Sequence, residues 1–201
     1  DIIAITGDLI DSRNTDIETA LRFAEGAAEI APCYYVTGNH EARVAEYDEL
    51  KKRLIELGVV VLDNKRLDLE KNGEALTVIG VDDPDFTADY LFDDSKSIIE
   101  AQVQRLSDKE DRYTVLLSHR PELFDVYAES GADLILSGHA HGGQIRLPVV
   151  GGIFAPHQGF FPEYDGGIYT DTDVKMIVSR GVGNSIFPLR VNNRPEVVLI
   201  E

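Results

Sequence analysis

Two imidazoles one residue apart, His139 and His141, lie in the string SGHAHGGQ at residues 137–144. The apolar run at 133–136 before them reads as a buried strand. In an extended segment, residues two apart face the same side, so both rings can converge on one point. Gly138, Gly142 and Gly143 permit backbone angles and close approaches that a side chain would forbid. Other polar strings carry matching donors: Asp8 and Asp11 in GDLID, Asn39 and His40 in GNHE, and His119 in SHRPE. Four of the five histidines lie in these strings, and His157 is the exception. Oxygen and imidazole donors without thiolates suit manganese, iron, zinc or a similar divalent ion. The chemistry to expect is that of a metal centre.

The elements that must position these groups alternate along the first two-thirds of the chain. Strand candidates fall at 1–6, 33–36, 59–62, 113–117 and 133–136. Helical spacing of apolar residues predicts helices over 16–30, 45–57 and 95–106, and another opening at Pro121. Asp16 or Thr15 caps the first, and Pro32 ends it. Residues 66–70 and 75–81 read as a hairpin turning at Asn72-Gly73. The last third is rich in glycine and aromatics and looks all-β, with final strands near 174–179 and 197–200. The polar strings follow strands, and sites in layered α/β folds form beyond the carboxyl ends of strands. Helices packed outside two sheets in one domain fit this order.

Composition narrows the function. With 201 residues and 43% hydrophobic content, the chain can bury a core of its own. A net charge of −17 excludes broad nucleic-acid binding, which needs basic patches to displace phosphate counterions. Cys33 is the single cysteine, so neither an internal disulfide nor a thiolate cluster can form. There is no apolar run of 18 residues and no signal peptide in the sequence. The chain opens directly inside a strand candidate, from which a missing upstream segment is expected.

The ordered set GDLID, GNHE, SH and GHAH resembles the calcineurin-like metallophosphoesterase superfamily. The longer strings SHRPE, GHAHGGQIRLP and SRGVGNSIFPLR resemble its YkuE/YaeI-type bacterial branch, over nearly the whole chain. The resemblance implies a four-layer α-β-β-α sandwich spanning residues 1–201, with two divalent cations (manganese, zinc or iron) at the strand ends. It implies that Asp8 bridges the two, that Asn39, His119 and His139 complete one shell, and that His141 serves the other cation, the turn splaying the two rings. His40 would face the substrate and protonate the leaving group, oriented by Glu41 or a nearby carboxylate. A hydroxide held at the metals would attack phosphorus in line, without a covalent enzyme intermediate.

The family's first strand carries Asp-x-His, and no such string precedes GDLID. The expected reason is an N-terminally shortened chain lacking that strand; a true loss would leave a non-catalytic interaction module with an incomplete site. The branch implies a phosphodiesterase or pyrophosphatase acting on a small or lipid-linked phosphate ester, as in relatives that cleave UDP-diacylglucosamine. Membrane-surface association would follow from a lipid-linked substrate, and localisation depends on the upstream segment. Asn39, His40 and Arg120 are the candidate substrate contacts, Arg120 through a phosphate oxygen or else as a surface residue. Asp11 supports the site or only shapes its turn. Gln144 and Arg146 continue the motif or simply pair in a strand. His157 reads as structural or solvent-facing, and 82–94 as a solvated acidic loop. The aromatics of 148–170 line a substrate groove, meet lipid, or cover a sheet.

Overall fold

β2 (Cys33–Val36) is buried at every position, the mark of a strand covered on both faces. Cys33 and Tyr35 point into one apolar cluster, while Tyr34 and Val36 point into another. The first cluster is roofed by α1 (Ile17–Ala28) and α2 (Tyr47–Glu56) through Leu21, Ala24, Leu50 and Leu54. The second lies between two sheets. The protein is described by a computed structural model over residues 1–87, 94–107, 112–184 and 189–201.

The smaller sheet is parallel, in the order β1 (Ile3–Thr6), β2, β3 (Val60–Val61). The larger contains β4 (Lys65–Lys71), β5 (Glu74–Gly80), β6 (Tyr113–Leu117), β7 (Leu134–Ser137), β12 (Gly167–Asp171) and β13 (Val174–Val178). Its order is β12-β13-β7-β6-β5-β4, with β5, β6, β7 and β13 parallel and an antiparallel strand at each edge. Val78, Val115 and Leu117 of this sheet meet Tyr34, Val36 and Leu62 in the inter-sheet layer. Its other face places Ile79, Leu116, Ile135 and Met176 against α3 (Ser95–Leu106) and α4 (Phe124–Ala128). Three apolar layers thus separate four structural layers, the α-β-β-α sandwich.

Asp16 caps α1 by accepting the Thr19 N–H, and Asn72-Gly73 turns the β4–β5 hairpin with positive φ at both residues. The helix expected from Pro121 is split into a 3₁₀ turn, Pro121–Leu123, followed by the five residues of α4. Four two-residue strands, β8 (Arg146–Leu147), β9 (Gly151–Gly152), β10 (Phe154–Ala155) and β11 (Gly159–Phe160), form two small ladders beside the larger sheet. Residues 197–200 do not form the expected strand: Val197 and Leu199 are more than four-fifths exposed, and no ladder takes up the segment. Among the described residues, no helix is long and apolar enough to cross a membrane.

Candidate metal centre

The carboxyl ends of both sheets meet at one place. β1 runs into Gly7-Asp8, β2 into Thr37–Glu41, β6 into Ser118–Arg120, and β7 into Gly138–Gln144. The first loops pack backbone to backbone. A Cβ at Gly38 would lie 2.3 Å from Asp8 Oδ1, so the glycine before Asn39 is a space requirement. Asp8 itself stands in the left-handed region, φ 53°, which turns its carboxylate back over the strand ends.

Glu41 secures that turn. Its buried carboxylate accepts the backbone N–H groups of Asp8 (3.0 Å), Leu9 (2.7 Å), Ile10 (3.3 Å) and Gly38 (2.7 Å). Of the two expectations for the carboxylate beside His40, Glu41 or a neighbour, Glu41 is not the one, because its lone pairs are taken by the backbones of the loops after β1 and β2. Burial and then the Asp8 charge push its pKa up to about 7, against the backbone donors that hold it down. His40 is fixed by Ser12 instead, whose N–H donates to Nδ1 at 2.9 Å. An amide can only donate, so Nδ1 is bare and the neutral ring carries its proton on Nε2. That Nε2 is 3.9 Å from Asp8 Oδ2. Asp11 lies 3.5 Å from His40 Nδ1 and also accepts the Arg13 N–H. It both shapes the turn and faces the imidazole.

His119 is 1% exposed, and its Nδ1 is 2.7 Å from the carbonyl oxygen of Thr6. The carbonyl can only accept, so Nδ1 donates and the neutral ring's bare nitrogen is Nε2. Nε2 points at Asp8 Oδ2, 3.1 Å away, and at His139 Nδ1, 2.9 Å away. A backbone carbonyl fixing one imidazole nitrogen while the other faces a carboxylate is the arrangement that prepares a metal ligand. Burial pushes the Asp8 carboxyl up, but His119, His40 and His139 outweigh it and hold it well below the carboxylate range. Burial pushes His119 down, and Asp8 overrides it to raise the imidazole to about 9. His139 is driven well below its ordinary value by burial and then by His119.

Asp8, His119 and His139 each bring one ligand atom within 4.8 Å of the others. Asn39, 4% exposed, has a buried Oδ1 with no hydrogen-bond donor. An orphaned amide oxygen costs about 1–3 kcal/mol unless something satisfies it. Bare imidazole nitrogen, carboxylate and orphan oxygen fit a divalent cation of the manganese, iron or zinc kind.

His139 and His141 do not alternate along a strand. β7 stops at Ser137, and both histidines are left-handed, with φ 64° and 48°. His139 turns toward His119, while His141 opens the 3₁₀ turn His141–Gly143. Burial, opposed by Asp8 and reinforced by His119, lowers His141 to about 4. Asn193 fixes this turn by donating to the carbonyls of His141 (2.7 Å) and Gln144 (3.1 Å). Arg146, in β8, pairs with Asp165 at 3.0 Å. Gln144 is 8% exposed with a partnerless Oε1.

Two other readings change, and a third gains a contact. Arg120 is not a surface residue: it is 2% exposed and forked onto Asp83, with Nε–Oδ2 2.8 Å and Nη2–Oδ1 2.7 Å. Its Nη2 also donates to Asp85 at 2.6 Å. The segment from Asp82 is correspondingly not solvated at its start, since Asp83 is 1% exposed; residues 88–93 of that loop lie outside the described residues, as do 185–188. His157 is exposed, in keeping with a structural or solvent-facing residue, but its contact with the site was not foreseen: its Nδ1 is 2.8 Å from His139 Nε2, and with Glu122 and His139 it forms a second group that could hold a metal ion. Its place in an aromatic, glycine-rich stretch gave no periodic signal linking it to the other histidines. That stretch divides, with Tyr164 and Tyr169 packed on the core while Phe154, Phe160 and Phe161 are exposed.

Residues 1–143 match the calcineurin-like phosphoesterase family. The chain belongs to that family of metal-dependent hydrolases. It is 30% identical over 202 residues to an uncharacterised metallophosphoesterase, YkoQ of Bacillus subtilis, covering 98% of this chain and 70% of the relative. It is 32% identical over 178 residues to the phosphodiesterase YaeI of Escherichia coli, covering 87% and 59%. YkuE of Bacillus subtilis, also uncharacterised, is 30% identical over 209 residues, covering 99% and 66%. The chain thus spans about three-fifths to seven-tenths of these relatives' length. Among solved structures, the sulfate thiohydrolase SoxB of Thermus thermophilus superposes with a TM-score of 0.50 at 16% identity, over 80% of this chain and 29% of that one, a likeness of fold.

Proposed function

We propose that this chain is the phosphoesterase domain of a phosphodiesterase or pyrophosphatase that uses two divalent cations on a small or lipid-linked phosphate ester. The observation that carries the reading is the convergence of Asp8 Oδ2, His119 Nε2 and His139 beside the orphaned Asn39 Oδ1. Asn39, His119 and His139 would hold one cation with Asp8, and His141 would face a second that shares Asp8. Bound there, the cations supply Lewis acidity toward the phosphoryl oxygens and an activated water.

The chain's own residues do the rest. Asp8 receives the His40 N–H on Oδ1 at 2.9 Å, leaving Oδ2 for the centre. His40 carries its proton on Nε2, on the Asp8 side of the ring, where it can donate a hydrogen bond to a phosphate oxygen or to the charge developing on a departing alkoxide. A donor so placed contributes typically ~10²–10³-fold. The buried Arg120–Asp83 pair clamps the loop that carries His119. For the substrate's apolar part, the support is the exposed Phe154–Phe160 pair, with ring centroids 5.5 Å apart, on the hairpin that also presents His157 to His139. Contiguous exposed aromatics of this kind mark binding surfaces.

The test is hydrolysis of bis-p-nitrophenyl phosphate by metal-free protein with and without added manganese, alongside His40→Ala. Manganese-dependent turnover that falls about 100-fold or more in His40→Ala is expected. Turnover unaffected by chelator, or by removal of the imidazole, would refute the reading.

A further inference from the structure

His157 sits at the tip of the β10–β11 hairpin with φ 59°, a backbone conformation uncommon for a residue bearing a side chain. The tip is braced by Gln158, whose side chain both donates to the Tyr164 carbonyl (3.0 Å) and accepts the Tyr164 N–H (2.9 Å). So held, the imidazole lies edge to edge with His139, centroids 5.1 Å apart and planes 23° from parallel. The two rings share one hydrogen bond, His139 Nε2 to His157 Nδ1, at 2.8 Å.

The direction of that bond decides what His139 can do. A neutral imidazole carries one proton. If Nε2 of His139 holds it, Nδ1 is bare toward His119 Nε2 and the Asp8 carboxylate. If Nδ1 holds it, the face toward the cluster is a donor and cannot ligate. Once His119 serves as a ligand through Nε2, its single proton stays on Nδ1 toward the Thr6 carbonyl, so it has none to donate to His139 Nδ1.

We infer that His157 is a positioning residue for the metal centre: it accepts the His139 Nε2–H and so keeps His139 Nδ1 bare for the cation. This inference rests on the metal-centre reading above and extends it to the aromatic hairpin. The same hairpin that exposes Phe154 and Phe160 sets the tautomer of a ligand. Groups that hold a metal-bound imidazole by its far nitrogen typically govern affinity by ~10–100-fold.

The test compares the full chain with His157→Ala and His157→Gln by titrating metal-free protein with manganese, and by thermal unfolding of each metal-free form. Glutamine offers Oε1 as an acceptor, whereas alanine offers none. The expected result is a manganese affinity about 10–100-fold weaker in His157→Ala, a smaller loss in His157→Gln, and unchanged metal-free unfolding temperatures. Equal affinity in all three forms overturns the inference while leaving the metal centre standing. Equal losses in both variants with lowered metal-free unfolding temperatures also overturn it, since His157 would then only brace the hairpin. No manganese binding by the unaltered chain overturns the inference and the metal centre together.

Discussion

His119 Nε2 stands 3.1 Å from Asp8 Oδ2 across the junction of the two sheets, while the Thr6 carbonyl, from the strand that delivers Asp8, holds His119 Nδ1 at 2.7 Å. One strand therefore presents the carboxylate and fixes the tautomer of the imidazole facing it. The small sheet and the large sheet are locked together at the residues that would share a cation.

Glu41 links the same two loops through backbone amides. Replacing it with alanine strands several buried donors at once, each costing about 1–3 kcal/mol. Glu41→Ala should lower the unfolding temperature by more than about 10 °C, at about 2–4 °C per kcal/mol, or prevent folding. Glu41→Gln, which keeps one oxygen acceptor, should fall between. Thermal unfolding of both variants checks the order.

Arg120 should behave as a folding residue. Arg120→Ala leaves Asp83 buried without its partner, a loss of about 3–5 kcal/mol. Arg120→Lys should restore little, because an ammonium cannot reproduce the two-pronged contact with Asp83. Thermal unfolding together with KM for a diester separates the roles: stability falls in both variants, and KM changes little in the protein that remains folded.

The four polar strings and their strands were legible because each motif follows a short apolar run, and because both sheets are buried on two faces. Legibility failed where the deciding contact crosses loops. Glu41 reads as a neighbour of His40 in sequence, yet its lone pairs go to amides 31 to 33 residues away. Arg120 reads as a surface arginine until Asp83, 37 residues earlier, is brought against it. His157 reaches His139 only because a hairpin folds back over the GHAH turn. The 197–200 run, Val-Val-Leu-Ile, is continuously apolar like a buried strand, but burial needs a neighbouring strand that the sequence pattern cannot supply.

Asp82 gives a pH dependence away from the metal cluster. Burial, and next the Asp63 carboxylate, push it up to about 6. A carboxyl raised in the folded state binds its proton more tightly folded than unfolded. Its contribution is full below the unfolded value and is lost as pH rises through about 6. Asp82→Asn should match the unaltered protein near about pH 4 and exceed its stability at about pH 8 by roughly 1–2 kcal/mol, allowing for one lost acceptor toward Thr37 or Asn64. Denaturant unfolding at the two pH values measures the crossover.

The exposed hairpin aromatics should separate two substrates. Phe160→Ser with Phe161→Ser should lower kcat/KM for an acylated phosphodiester by about 10-fold or more, since each buried aromatic contributes about 1.5–3 kcal/mol. Hydrolysis of bis-p-nitrophenyl phosphate should stay within about 2-fold, well under 1 kcal/mol of barrier. Parallel assays on the two substrates check it, and equal losses on both would assign the rings to packing.

The most direct measurement is calorimetric titration of metal-free protein with manganese, repeated on Asp8→Asn and His119→Gln. The account predicts saturable binding by the unaltered chain and losses of about 100-fold or more in each variant, beyond the ~10–100-fold typical of groups outside the ligand shell. Absence of binding in the unaltered chain, or equal affinity in all three, would contradict it.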